Sequence, residues 1–137
     1  MSTDQNKKIV QQLFNDAINA RNLSVADEVI APGFVNHGMQ SPTNGPEGFI
    51  QVIQQFTNSF PDMKVQLEEV IAEGETVATR GSWKGTHKGN FMGIPATDKQ
   101  VHVSYIDIWK VRDGKCVENW VQMDMVGLMQ QLGAIPS

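Results

Sequence analysis

The sequence predicts an α+β domain in which helices cover one side of a curved antiparallel sheet. Three observations carry this: apolar pairs at helical spacing early in the chain, strand-like runs through most of the rest, and strong turn signals between the runs. A pocket is expected between the concave face of the sheet and the helices.

The elements follow in order. Ile9/Val10, Leu13/Phe14 and Ala17/Ile18 recur at helical spacing, with Ser2 or Thr3 available as the cap. A short second helix starts at Ser24, with Asp27 placed to complete a capping box, and stops at Ala31-Pro32-Gly33. Phe34-Val35-Asn36-His37 reads as a short strand. Pro46 suits a first helical position and opens a helix whose apolar stripe is Phe49, Ile50, Ile53 and Phe56. That helix ends before Phe60-Pro61-Asp62. Antiparallel strands are expected over 65–72, 77–87, 101–111 and 116–123, with turns at Glu73-Gly74 and Asp113-Gly114. A terminal helix from Met125 ends at Gly133, the residue type expected just past a helix. The Gly-, Pro- and Thr-rich stretch from Gly85 to Lys99 is a long connection, expected at the pocket mouth.

Length and composition bound the function. The 137 residues make a single domain, 1–137, large enough for a core without staples. A formal net charge of −4 gives no footprint for nucleic acid. The single cysteine, Cys116, excludes an internal disulfide framework and fits a reducing cytoplasm. No apolar run follows the early lysines as a secretory signal requires, and none approaches the roughly 20 residues of a membrane span. His37, His87 and His102 lack ligand-like spacing, so no metal site is expected.

The chemistry concentrates at the last hairpin. If Arg112 and Lys115 close the Asp113-Gly114 turn, Trp109 faces Glu118, Asp107 faces Trp120 and Tyr105 faces Gln122. One face then carries Tyr105, Asp107, Trp109, Glu118, Trp120, Gln122 and Asp124, while the other carries Ile106, Ile108, Val117, Val121 and Met123. The aromatic and acidic face is expected to line a pocket for a hydrophobic small molecule. The apolar face is expected to pair two copies as a homodimer. Asp124 directly precedes a helix and also suits an N-cap. Asp107, about 13 Å from the rung of Asp124, reads either as a second pocket acid or as a buried acid paired with an arginine or a backbone amide. His37 and His87 read either as substrate contacts or as locally bonded histidines at the rim and in the mouth loop. His102 is expected to face away.

The chain resembles the SnoaL-like polyketide (ester) cyclases of the nuclear-transport-factor-two-like superfamily. The resemblance rests on Phe34-Val35-Asn36-His37-Gly38, Gly45-Pro46-Glu47-Gly48-Phe49, Phe60-Pro61-Asp62, Gly85-Thr86-His87-Lys88-Gly89 with Gly93-Ile94-Pro95, and Asp113-Gly114-Lys115. Trp120, Asp124 and Gln131-Leu132-Gly133 complete it. It implies a cone-shaped sheet wrapped around the N-terminal helices. It also implies an enzyme that closes a polyketide methyl ester by intramolecular aldol chemistry without metal or cofactor. In that family the aspartate at the position of Asp124 resembles a general acid/base, and a histidine stands where this chain has Asp107.

Together these readings make Asp124 and Asp107 the candidate catalytic residues. His37, Tyr105, Trp109, Glu118, Trp120, Gln122 and His87 are the candidate substrate contacts. The function expected is cofactor-free acid–base closure or isomerisation of a hydrophobic carbonyl substrate. Two alternatives use the same pocket: an epoxide hydrolase built on Asp107, Arg80 and Asp124, and a non-catalytic ligand-binding protein.

Overall fold

A computed structural model describes residues 2–39 and 43–136. Ser2 caps the first helix, α1 (Thr3–Gln12), through a reciprocal box with Gln5. The helix runs on without a break as a π-helix, Leu13–Asn19. Asn19 clamps this π segment to the sheet, accepting from the Val65 N–H at 2.7 Å and donating to the Val65 carbonyl at 2.8 Å. The second helix, α2 (Val25–Val29), forms without the expected Ser24–Asp27 box; the Ser24 hydroxyl bonds Asn22 instead. It stops earlier than expected because the chain turns extended at Ile30.

The first strand, β1 (Ile30–His37), therefore includes Ala31-Pro32-Gly33. It lies at the sheet edge, where a proline is tolerated, and pairs parallel to the last strand. The sheet is thus mixed: the four long strands pair antiparallel, as expected, and the short edge strand adds a parallel pairing. The third helix, α3 (Gly45–Ser59), has Pro46 in its first turn, as expected. It enters through Gly45 at φ 81°, where a Cβ would stand 2.5 Å from the Pro32 carbonyl oxygen, so glycine is required.

Four strands and a helix follow: β2 (Lys64–Glu73), β3 (Thr76–Thr86), β4 (Gln100–Arg112), β5 (Lys115–Met123) and α4 (Met125–Leu132). Asp113 and Gly114 join β4 to β5 with φ of 52° and 80°, the conformation a two-residue hairpin demands. The sheet order is β1-β5-β4-β3-β2, and the sheet is open. Val10, Leu13, Phe14 and Ala17 from the first helical run join Phe49, Ile53 and Phe56 of α3 in a core against Trp83, Val103 and Trp109 of the sheet.

One irregularity decides the site. Past the hairpin turn Arg112 pairs with Lys115 and Val111 with Cys116, as expected, but the next pair is Lys110 with Glu118. Val117 is the extra residue of a β-bulge, and every later side chain of β5 changes face. Asn119, Val121 and Met123 point toward the helices, while Glu118, Trp120 and Gln122 point outward. The regular register expected for this hairpin is therefore overturned from Glu118 onward.

Candidate active site

The inward face of β4 delivers Tyr105, Asp107 and Trp109 beneath the helices, as its alternation predicts. They line a cavity of about 70 Å3. Its wall also includes Phe14 and Ile18 of the π-helix, Phe49, Val52 and Phe56 of α3, and Asn36, Trp83, Asn119, Val121 and Met123 of the sheet. Phe14 stacks on Tyr105 with ring centres 5.7 Å apart and meets Trp109 edge-on at 6.0 Å. The wall is thus aromatic and aliphatic, interrupted by one carboxyl group and a few neutral polar atoms.

Asp107 is 3% exposed. Burial pushes its carboxyl up to about 7, into the range where it exchanges protons near neutrality. The Thr79 hydroxyl, which donates to Oδ1, and the neighbouring Trp109 indole favour the ionised form and oppose this rise. The indole N–H lies off hydrogen-bonding geometry and keeps no partner. The Tyr105 hydroxyl and Asn36 Oδ1 are likewise buried without a hydrogen-bond partner. Burial also raises the Tyr105 hydroxyl, which stays protonated and available as a donor. Unpaired buried polar groups cost about 1–3 kcal/mol each, and three of them around one cavity suit a ligand with a carbonyl or hydroxyl edge.

A second hollow of about 550 Å3 lies alongside and shares Met39, Val52, Phe56, Val121 and Met123 with the cavity wall. Met92, Met125 and Phe91 add to its lining. Phe91 and Met92 bring the 85–99 connection to this hollow.

Comparison with known proteins fixes the family. Residues 8–132 match the model described as SnoaL-like polyketide cyclase. The chain belongs to this family. It is 29% identical over 129 residues to nogalonic acid methyl ester cyclase of Streptomyces nogalater, covering 85% of this chain and 90% of that protein. It is 30% identical over 108 residues to aklanonic acid methyl ester cyclase DnrD of Streptomyces peucetius, covering 77% of this chain and 72% of that one. Among solved structures, TsrD from Streptomyces laurentii superposes with a TM-score of 0.90 at 25% identity, over 98% of this chain and 99% of that chain. IdmH from Streptomyces antibioticus gives 0.81 at 32% identity, over 94% and 99%.

In this SnoaL-like chain the residues expected in one pocket divide between two faces. Tyr105, Asp107 and Trp109 line the cavity. Glu118, Trp120 and Gln122 do not, because the bulge at Val117 turns them to the outer face, although Gln122 still borders the adjoining hollow. There the His37 ring stacks on Trp120 at 5.0 Å, and His37 Nε2 meets Glu118 Oε2 at 3.0 Å. Asp124 is exposed, accepts from the Gly127 N–H at 2.9 Å as the N-cap of α4, and borders a shallow outer groove with Arg80 and His102. Val121, expected outward, lines the cavity. His87 is buried inside the 85–99 connection, where Nδ1 accepts from the Thr97 N–H at 3.2 Å and the ring packs on Phe60. His102 faces outward, as expected.

The Asp–Arg–Asp arrangement of the hydrolase alternative is not assembled. Arg80 stands on the outer face and pairs with Glu68 and Glu69 at 2.6 Å each, Glu68 being the extra residue of a second bulge. Among the described residues no cluster of His, Cys, Asp or Glu could hold a metal ion. None of the described helices is long and apolar enough to cross a membrane. Sequence reasoning missed Thr79, Asn36 and Asn119. Each is a polar residue in a strand, which alone reads as solvent-facing.

Proposed function

We propose that this chain is an acid–base enzyme that closes a hydrophobic carbonyl substrate, and that Asp107 carries the proton. The observation supporting this is a carboxyl group inside an aromatic chamber, poised near neutrality by burial. Ionised Asp107 takes a proton from a carbon beside a carbonyl. The Tyr105 hydroxyl and the Trp109 indole N–H are free to hold the resulting enolate oxygen. The carbanion attacks a second carbonyl of the same molecule, and protonated Asp107 returns its proton to the new alkoxide, so the cycle closes without net proton change. Ring closure as the outcome is supported by the relatives, which are named as cyclases of nogalonic and aklanonic acid methyl esters.

A cavity of about 70 Å3 holds only the reacting edge of such a molecule. The apolar remainder fits the adjoining methionine-lined hollow, whose flexible side chains adapt to it. Incubation with aklanonic-type methyl esters in oxygen-18 water is the test. Ring closure without solvent oxygen in the product supports cyclisation, whereas label in the product indicates hydrolysis. Specific binding without turnover at any pH indicates a carrier.

A homodimer and a cytoplasmic setting belong to the same reading. Ile71, Ile106, Ile108 and Trp120, from 38% to 60% exposed, form an apolar stripe across the outer face that suits a second copy. Cys116 is a buried free thiol, consistent with a reducing compartment.

A further inference from the structure

We propose that Thr79 is a positioning residue for the acid–base step, holding one carboxyl oxygen of Asp107 so that the other meets the substrate. The inference rests on Asp107 as the proton carrier. Thr79 and Asp107 are direct partners across β3 and β4, 2% and 3% exposed, and the Thr79 hydroxyl donates to Oδ1. Thr79 is not part of the cavity wall. A substrate therefore meets Asp107 and not Thr79, and the hydroxyl acts through its neighbour. Its inward companions on β3 are Val77, Gly81 and Trp83. A valine would satisfy the same packing, so the hydroxyl has a purpose other than filling space.

A hydroxyl carries one hydrogen, and here that hydrogen is directed at the carboxylate. The bond stabilises the ionised form, which is the base. It also fixes the rotation of the carboxyl group, turning a mobile acid into an oriented one. Among the described residues no cationic side chain shares this task. The titratable groups facing Asp107 are Tyr105 on β4 and Cys116 on β5, whose thiol burial pushes up to about 12. The helices contribute Phe14, Ile18 and Phe49 to the same space. The Thr79 hydroxyl also favours ionised Tyr105, although the two oxygens do not form an ordinary hydrogen bond.

The test is the titration of Asp107 in protein carrying carbon-13 at its aspartate carboxyl groups, read beside the pH dependence of kcat/KM. Thr79→Val should raise the Asp107 midpoint by about one to two pH units, the effect of one hydrogen bond to a charged group. The ascending limb of kcat/KM should move with it, so that turnover falls about tenfold near pH 7 and recovers in alkali, with KM little changed. Thr79→Ser should restore both curves. A midpoint and limb unmoved in folded Thr79→Val would overturn the proposal. Should Thr79→Val fail to fold, Thr79→Ala removes the same hydroxyl and is read in the same way. The titration needs no substrate, so a shifted midpoint without turnover by the unaltered protein counts against the enzymatic reading and not against the link between Thr79 and Asp107.

Discussion

Asp107 is costly to the fold at the pH where it is useful as a base. Its carboxyl is lifted from an ordinary 3.8 to about 7 by burial. Between those values the folded protein holds a proton that the unfolded chain has released, so stability falls as pH rises through this window. The full shift corresponds to at most about 4 kcal/mol above pH 7. Asp107→Asn removes the charge and keeps the shape, and should therefore be more stable than the unaltered protein at pH 8 while differing little at pH 4. Urea denaturation at the two values measures this; equal stability at pH 8 would mean that the carboxylate is better solvated than its burial indicates. Asp107, Tyr105 and Trp109 were legible in the sequence because β4 alternates without interruption. Asn36 and Asn119 were not, since nothing local distinguishes a polar residue lining a chamber from one facing water.

At the scale of elements, the bulge at Val117 separates the expected site from the observed one. The Asp113-Gly114 turn sets a register that places Glu118 and Trp120 inside, whereas hydrophobic patterning places Val121 and Met123 inside. Both cues are physically sound, and they conflict by one residue. An extra residue in β5 reconciles them, so the conflict was itself the signal of a bulge. The same shift leaves Asp124 at the start of α4 and outside the cavity. Asp124→Asn should keep the helix cap and the stability, and Asp124→Ala should cost roughly 1 kcal/mol. Both should keep turnover within a few-fold of the unaltered enzyme. Loss of turnover in Asp124→Asn with its melting point preserved would return the acid–base role to Asp124.

For the whole molecule, the cone of sheet and helices follows from features legible along the chain: amphipathic helices first, long alternating strands after them, and glycine-bearing turns between. What could not be read was how far the helices stand from the sheet, because that depends on the size of Phe14, Phe49 and Phe56 where they meet Trp83 and Trp109. The parallel pairing of β1 was also hidden, since it joins segments distant in sequence and leaves no local pattern. The apolar outer face was legible in Ile106 and Ile108, and it carries a prediction at this scale. Ile106→Lys, at a position 57% exposed, should convert a dimer to monomer in analytical ultracentrifugation with little loss of monomer stability. An unchanged sedimentation coefficient would place any dimer contact elsewhere.

The assignment of Asp107 as the acid and base meets its most direct test in kcat/KM of Asp107→Asn on an aklanonic-type methyl ester. Asparagine preserves volume and hydrogen bonding but cannot take up the proton. Turnover should fall by about a hundredfold to ten-thousandfold while the circular dichroism spectrum stays unchanged. Full turnover by folded Asp107→Asn would contradict the assignment.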